Sequence, residues 1–269
     1  MENNIVLLNK DKIIKSLTTD TLNKLDSLII NKKTGSTNDD AKNSLKNKRN
    51  QLCVHFAEQQ NSGRGRSGKS WVSPFAKNIY FSIGWKSNLS LNELDGLSLA
   101  AAVVVSESLQ ELIKEPLEIK WPNDILINNK KVGGILIETS SNEDGLLEII
   151  IGVGINIFMD NEEAKSIDQA WVNLEQHKIS SLNKDSIAAN LINGMTQLTE
   201  DFENSGFKYF KEAFELRNNL TNKQCKILDR NNQEKIGLVK GINSNGELLI
   251  KINNEIINLR YGEVSIREL

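Results

Sequence analysis

The chain has 269 residues, 39% of them hydrophobic and 25% charged, with a formal net charge of −2. Those values suit a globular chain with one sizeable core and a smaller unit, and they disfavour a nucleic-acid partner, which asks for a basic surplus. The two cysteines, Cys53 and Cys225, form no metal-binding pair, and no apolar run reaches the length of a membrane span. The N-terminal apolar patch is too short for a secretory h-region. We therefore expect a cytoplasmic protein with reduced, packed thiols and no membrane partner.

In chain order, residues 10–25 carry apolar residues at roughly helical spacing, weakened by Thr18 and Thr19. "LIINK" reads as a strand. "TGSTNDDAKNSL" reads as a turn into a helix, which Thr37 or Asn38 can cap, with Asp39 and Asp40 at the positive end of its dipole. "LCVHFAE" and "NIYFSIGW" are strands. Leu91–Ile113 predicts one long buried helix. "LEIKW" is a strand stopped by Pro122. "DILINNKKVGGILIET" predicts a hairpin turning at "INNKK", and "LLEIIIGVGINI" a central strand. Ile187, Leu191, Met195, Leu198 and Phe202 mark a second helix, and "GFKYFKEAFELRNN" a shorter one. From Gln224 onward, short strands alternate with "RNNQ", "NSNG" and "NN". The polar stretch near 218–223 divides the chain into a unit at 1–220 and a small antiparallel β-barrel at 221–269.

Residues 63–70, "GRGRSGKS", fit the phosphate-loop pattern letter for letter. That motif needs a helix directly after it, whose first amides hold the phosphates. Here Pro74 comes four residues after Ser70 and a strand follows, so the match is one of composition. The glycines permit close approach, and Arg64 and Arg66 supply forked donors for an anion. Three more stretches place unusual residues in or at the end of strands: "KWPND" (120–124) ends a strand in an amide and an acid, "KKVGGIL" (130–136) sets a lysine before a glycine pair, and "GVGIN" (152–156) has two glycines before Asn156. Each alone has a plainer reading: an Asx turn, a hairpin with a surface lysine, and tight strand packing. Cys53 and His55 read as core and sheet residues.

Taken together, "TGSTND", "AEQQNSGRGRSGKSW", "SPFAKNIYFSI", "LSLAAAVVV", "IKWPND", "KKVGGIL", "IGVGIN" and "GEVSIR" resemble the biotin–protein ligases, in that family's order, over roughly residues 10–269. The resemblance implies an α+β fold: a mixed sheet flanked by helices, of the class II synthetase-like kind, followed by a small β-barrel. It implies that biotin and MgATP give biotinyl-5′-AMP and pyrophosphate. The biotin then passes to one lysine of a biotin carboxyl carrier protein domain, that of acetyl-CoA carboxylase.

By the same resemblance, Ser36, Thr37, Asn38, Gln60, Arg64, Gly65, Arg66, Lys131, Gly133 and Gly134 line the biotin site. Arg66, Trp71, Asn123, Asp124, Lys131, Asn156 and Arg267 serve ATP and its Mg2+, with Glu263 beside Arg267. Lys131, Arg66 and Asp124 are the catalytic candidates, and Asp124 can help deprotonate the carrier amine. The glycine loop acts as a lid. This sequence departs from the family pattern in the second half of the loop, commonly richer in arginine and here "SGKS" with Ser67 and Lys69, and at Gly133, where alanine is common. Some relatives carry a DNA-binding unit of about 60 residues. Only about 30 residues precede "KKTGSTND", and no DNA-binding role is expected. The alternatives are a lipoate or octanoate transferase of related fold and a non-enzymatic biotin-binding module. A homodimer is left open.

Overall fold

The structure is a computed structural model and describes residues 6–47, 51–229, 234–260 and 264–268. The first helical stretch is two helices, α1 (Lys10–Lys15) and α2 (Thr19–Lys24). The break falls where Thr18 turns extended and accepts from the Thr21 amide. Strand β1 (Ser27–Asn31) leads to α3 (Thr37–Leu45), β2 (Leu52–Ala57) and β3 (Ile79–Ser87). The α3 cap position is Ser36, not Thr37 or Asn38, because the Thr37 amide is drawn to the Gln60 side chain.

The long helix expected over 91–113 is divided. A 3-10 turn at Leu91–Leu94 ends at Gly96, whose φ of 81° no helix accepts, and α4 (Leu97–Gln110) starts there. Strands β4 (Glu118–Lys120), β5 (Asp124–Ile127), β6 (Lys130–Ser141) and β7 (Leu147–Ile155) follow. The β5–β6 hairpin turns at Asn128 and Asn129, both left-handed, as a tight two-residue turn requires. Helices α5 (Lys184–Ser205) and α6 (Lys211–Glu215) complete the larger part.

The seven strands run β1-β2-β3-β7-β6-β5-β4, with β1 and β2 parallel and the other neighbours antiparallel. The sheet is therefore mixed, and β7 lies at its centre. Strand alternation gives it two unlike faces. Phe81, Ile83, Ile135, Val153 and Ile155 belong to the main core with Val103, Val105, Leu191 and Phe202 of α4 and α5. On the other face, α3 seals one end through Ala41 and Leu45 against Cys53 and Ile150. The rest of that face holds the site.

The C-terminal strands β8 (Gln224–Asp229), β9 (Glu234–Ile242), β10 (Leu248–Ile252), β11 (Glu255–Leu259) and β12 (Val264–Glu268) form an antiparallel sheet in the order β11-β10-β9-β8-β12. Among the described residues β11 and β12 remain its two edges, so the expected barrel is an open sheet. Its β9–β10 turn meets the larger part: Trp121 Nε1 donates to the Gly246 carbonyl at 3.0 Å in a buried contact. A methyl group on Gly246 would come within 2.9 Å of the Gly96 Cα.

Candidate active site

Three glycines clear a trough on the sheet. Gly134 of β6 pairs with Gly154 of β7, and Gly152 lies two residues along the same face. A methyl on Gly154 would stand 2.3 Å from the Trp71 indole, and one on Gly152 would stand 2.3 Å from Asn38 Oδ1. One on Gly134 would crowd Lys131 Cε at 3.1 Å and Trp71 at 3.3 Å. Only glycine lets these side chains lie directly on the strand backbone. Gly133 faces away, where a methyl would meet the Gly154 carbonyl at 3.0 Å and Ile125 at 3.7 Å.

At one end of the trough is a cluster of buried polar side chains, with the Glu138 carboxylate at its edge. Ser36, Thr37 and Asn38 start α3 and are each under 5% exposed. Gln60 Oε1 accepts from the Thr37 amide at 2.9 Å and from its hydroxyl at 3.1 Å. Ser82 Oγ lies 2.7 Å from Thr37 Oγ1 and 2.6 Å from Asn38 Oδ1. Asn38 Nδ2 donates to Glu138 at 2.7 Å.

The glycine loop is a narrow hairpin. Gly65 donates to the Lys69 carbonyl and Trp71 to the Gly63 carbonyl, and Arg64 bridges Ser70 between them. Its tip turns through left-handed Ser67 and Gly68, and no helix follows before Leu91, which rules out a phosphate loop on geometry. Arg64 faces carboxylates: both guanidinium ends meet Asp39, at 2.8 and 2.7 Å, and one also meets Glu138 at 3.1 Å. Asp39, chiefly, pushes the Arg64 pKa up, and Arg64 holds the Asp39 carboxyl below its ordinary range. Arg66 reaches across to Asn123 Oδ1 at 3.0 Å.

At the other end, Lys131 Nζ forms an ion pair with Asp124 at 2.7 Å and lies 5.3 Å from the Trp71 ring centre. The Trp71 indole nitrogen is buried without a partner. Asn123 is fixed by donating to the Ile135 carbonyl. Asn156 is buried, with its amide nitrogen on the Val172 and Lys131 carbonyls. Arg267 is placed by its backbone opposite Lys226, and Glu263 lies outside the described residues. Among the described residues no group of three or more His, Cys, Asp or Glu could hold a metal ion. Burial pushes the Cys53 thiol up to about 12 and lowers the His55 pKa, as expected of groups packed in the sheet.

Sequence reading missed Ser82, Asp39 and Glu138 as site residues. Ser82 had a signal: it is a small polar residue between Phe81 and Ile83 in an apolar strand, in step with the Tyr80 face. Asp39 looked sufficient as a helix-dipole acid, and Glu138 sits among alternating residues that read equally well as solvated.

The polar side chains of α3, the glycines of β6 and β7 and the Lys131–Asp124 pair thus lie together on the sheet face that α3 partly covers. The Biotin/lipoate A/B protein ligase family matches residues 30–156, and the Biotin protein ligase C terminal domain matches residues 221–267. Two segments of the chain are thus similar to the biotin protein ligases and their lipoate-handling relatives. It is 34% identical over 215 residues to the bifunctional ligase/repressor BirA of Escherichia coli, covering 80% of this chain and 66% of that one. It thus spans just under two thirds of that relative's length. Against the biotin–[acetyl-CoA-carboxylase] ligase of Mycobacterium tuberculosis, identity is 25%, over 78% of this chain and 77% of the relative. Among solved structures, the biotin protein ligase of Aquifex aeolicus in complex with biotin and ATP is 27% identical, with a TM-score of 0.72, covering 91% and 99% of the two chains.

Proposed function

We propose that the protein activates biotin with MgATP to biotinyl-5′-AMP, releasing pyrophosphate, and then transfers the biotinyl group to a lysine of a biotin carboxyl carrier protein domain. The meeting of Lys131 and Trp71 over Gly134 and Gly154, beside the Thr37–Gln60–Ser82 pocket, is the observation that carries this reading. Those three side chains offer donors and acceptors without charge, which suits a ureido ring. The trough takes the apolar tail. The biotin carboxylate then lies at Lys131.

Adenylation brings that carboxylate to an anionic α-phosphate. At about 4 Å two like charges repel by about 4 kcal/mol at an effective dielectric of 20. Lys131 and Arg66 offset this repulsion, most strongly for the charge that builds in the transition state. The carboxylate oxygen bonds to the α-phosphorus and pyrophosphate leaves. In the second step the carrier amine attacks the acyl carbon, AMP leaves, and Asp124 is the carboxylate placed to take the amine proton. Asp124 is the carboxylate that would share a Mg2+ ion carried by the phosphates, and the ion would supply charge neutralisation there. The loop hairpin and Trp71 keep water from the mixed anhydride. Arg64 serves by holding the hairpin to α3 and β6 rather than as an anion ligand.

No helix among the described residues is long and apolar enough to cross a membrane, and we place the reaction in the cytoplasm, where carrier domains are made. The test is mass spectrometry of a carrier domain after incubation with biotin and MgATP. A mass gain of one biotinyl group with AMP release supports the proposal. Gain from lipoate instead of biotin, or biotin binding without AMP, refutes it.

A further inference from the structure

The main buried ion pair of the larger part lies away from the trough. Lys184 is the first residue of α5, and its side chain is 1% exposed. A cation is unfavourable at the positive end of a helix dipole, and a buried ammonium needs every donor paired. Here the three donors have three acceptors: Glu58 Oε2 at 2.7 Å, the Ala76 carbonyl at 3.1 Å and the Val6 carbonyl at 3.4 Å. Glu58 directly follows β2, where the segment bearing Gln60, Arg64, Arg66 and Trp71 begins. Ala76 is where that segment ends, and its amide donates back to the Glu58 carbonyl at 2.8 Å. Ala76 is left-handed, with φ 61°, a conformation an alanine keeps only when its surroundings impose it. The second Glu58 oxygen accepts from the Leu8 amide, and Asn9 donates to Asp185, the next residue of α5.

We propose that Lys184 and Glu58 are positioning residues for the ligase reaction: one buried ammonium ties both ends of the glycine-loop segment and the chain before α1 to a single point. Opening of the lid is thereby confined to its tip, and Gln60 stays in register with Thr37. This rests on the ligase reading above. A purely structural ion pair could be replaced by uncharged groups without functional loss; this one cannot.

The test pairs Lys184→Met with Glu58→Gln, which removes both charges and keeps the acceptor for Leu8. We expect a cooperative thermal melt near that of the parent, with the KM for biotin raised about tenfold and kcat less affected. Biotin should also escape as adenylate onto nonspecific lysines. A double variant with unchanged KM and no escape overturns the proposal, whatever its melting temperature. If that variant does not fold, hydrogen exchange on the parent decides. The Glu58 and Ala76 amides should exchange as slowly as β3 while Ser67 and Gly68 exchange fast, and uniform exchange across the segment overturns the proposal. A parent that forms no adenylate at all refutes the ligase reading and leaves the exchange test standing.

Discussion

Lys131 and Asp124 face each other across the β5–β6 hairpin, ammonium to carboxylate at 2.7 Å, on strands joined by only two turn residues. The pair is partly exposed, at 17% and 27%. Each group is therefore held in place by the other while staying open to an incoming charge.

Lys131→Ala should lower biotin-dependent ATP–pyrophosphate exchange by about a hundredfold or more, since in the proposed reaction it removes the main cation beside the carboxylate and phosphate. The melt should shift little, because the lost contact is a partly solvated pair. Normal exchange in this variant would refute the catalytic role.

Gly154→Ala tests the trough. Its methyl falls 2.3 Å from the Trp71 indole, so the ring must move off the sheet. We expect the KM for biotin to rise about tenfold with the far-ultraviolet spectrum unchanged. Gly145→Ala is the control for an added methyl in open space, at a left-handed turn outside the trough. It should cost some stability and leave KM alone.

The Asp39–Arg64 contact predicts an acid dependence. The folded Asp39 carboxyl titrates below its ordinary value, so its contribution is present above that value and is lost as pH falls through the lower folded one. Both groups are exposed enough for solvent to screen them, and the contribution at pH 7 should stay below about 1 kcal/mol. Urea unfolding of the parent and Asp39→Asn should differ at pH 7, and the difference should shrink steadily as pH falls below about 4. A difference that does not shrink below about pH 4 would show that the contact acts by packing rather than charge.

Arg66→Gly removes the strut from the lid to Asn123. The adenylate should then leave the site before meeting its carrier, read as biotin on unrelated lysines in a mixed-protein incubation. Labelling that stays confined to the carrier would contradict a lid role for the hairpin.

The strand pattern was readable because alternation is a local property. Ile-rich β7 and the Asn–Asn turn declare themselves without tertiary information. The division of the 91–113 helix at Gly96 was harder. One glycine in a helical run is ordinarily tolerated, and only the approach of Gly246 and Phe207 shows why this one turns left-handed. The glycines and Lys131 of the site stood out because they break the chemistry of their strands. Lys184 and Glu58 did not, because a lysine at a helix start and a glutamate at a strand end look like surface residues until the fold buries them together.

The seam between Trp121 and Gly246 bears on how the chain can be divided. Trp121 is followed at once by Pro122, Asn123 and Asp124, so the indole that docks on the C-terminal turn is continuous with the backbone that carries the carboxylate paired with Lys131. A fragment ended at residue 220 would strip the roof from that indole, leave its N–H without an acceptor and wet the flank of α4. Its failure to adenylate biotin would then report a sagging wall rather than a missing chemical group.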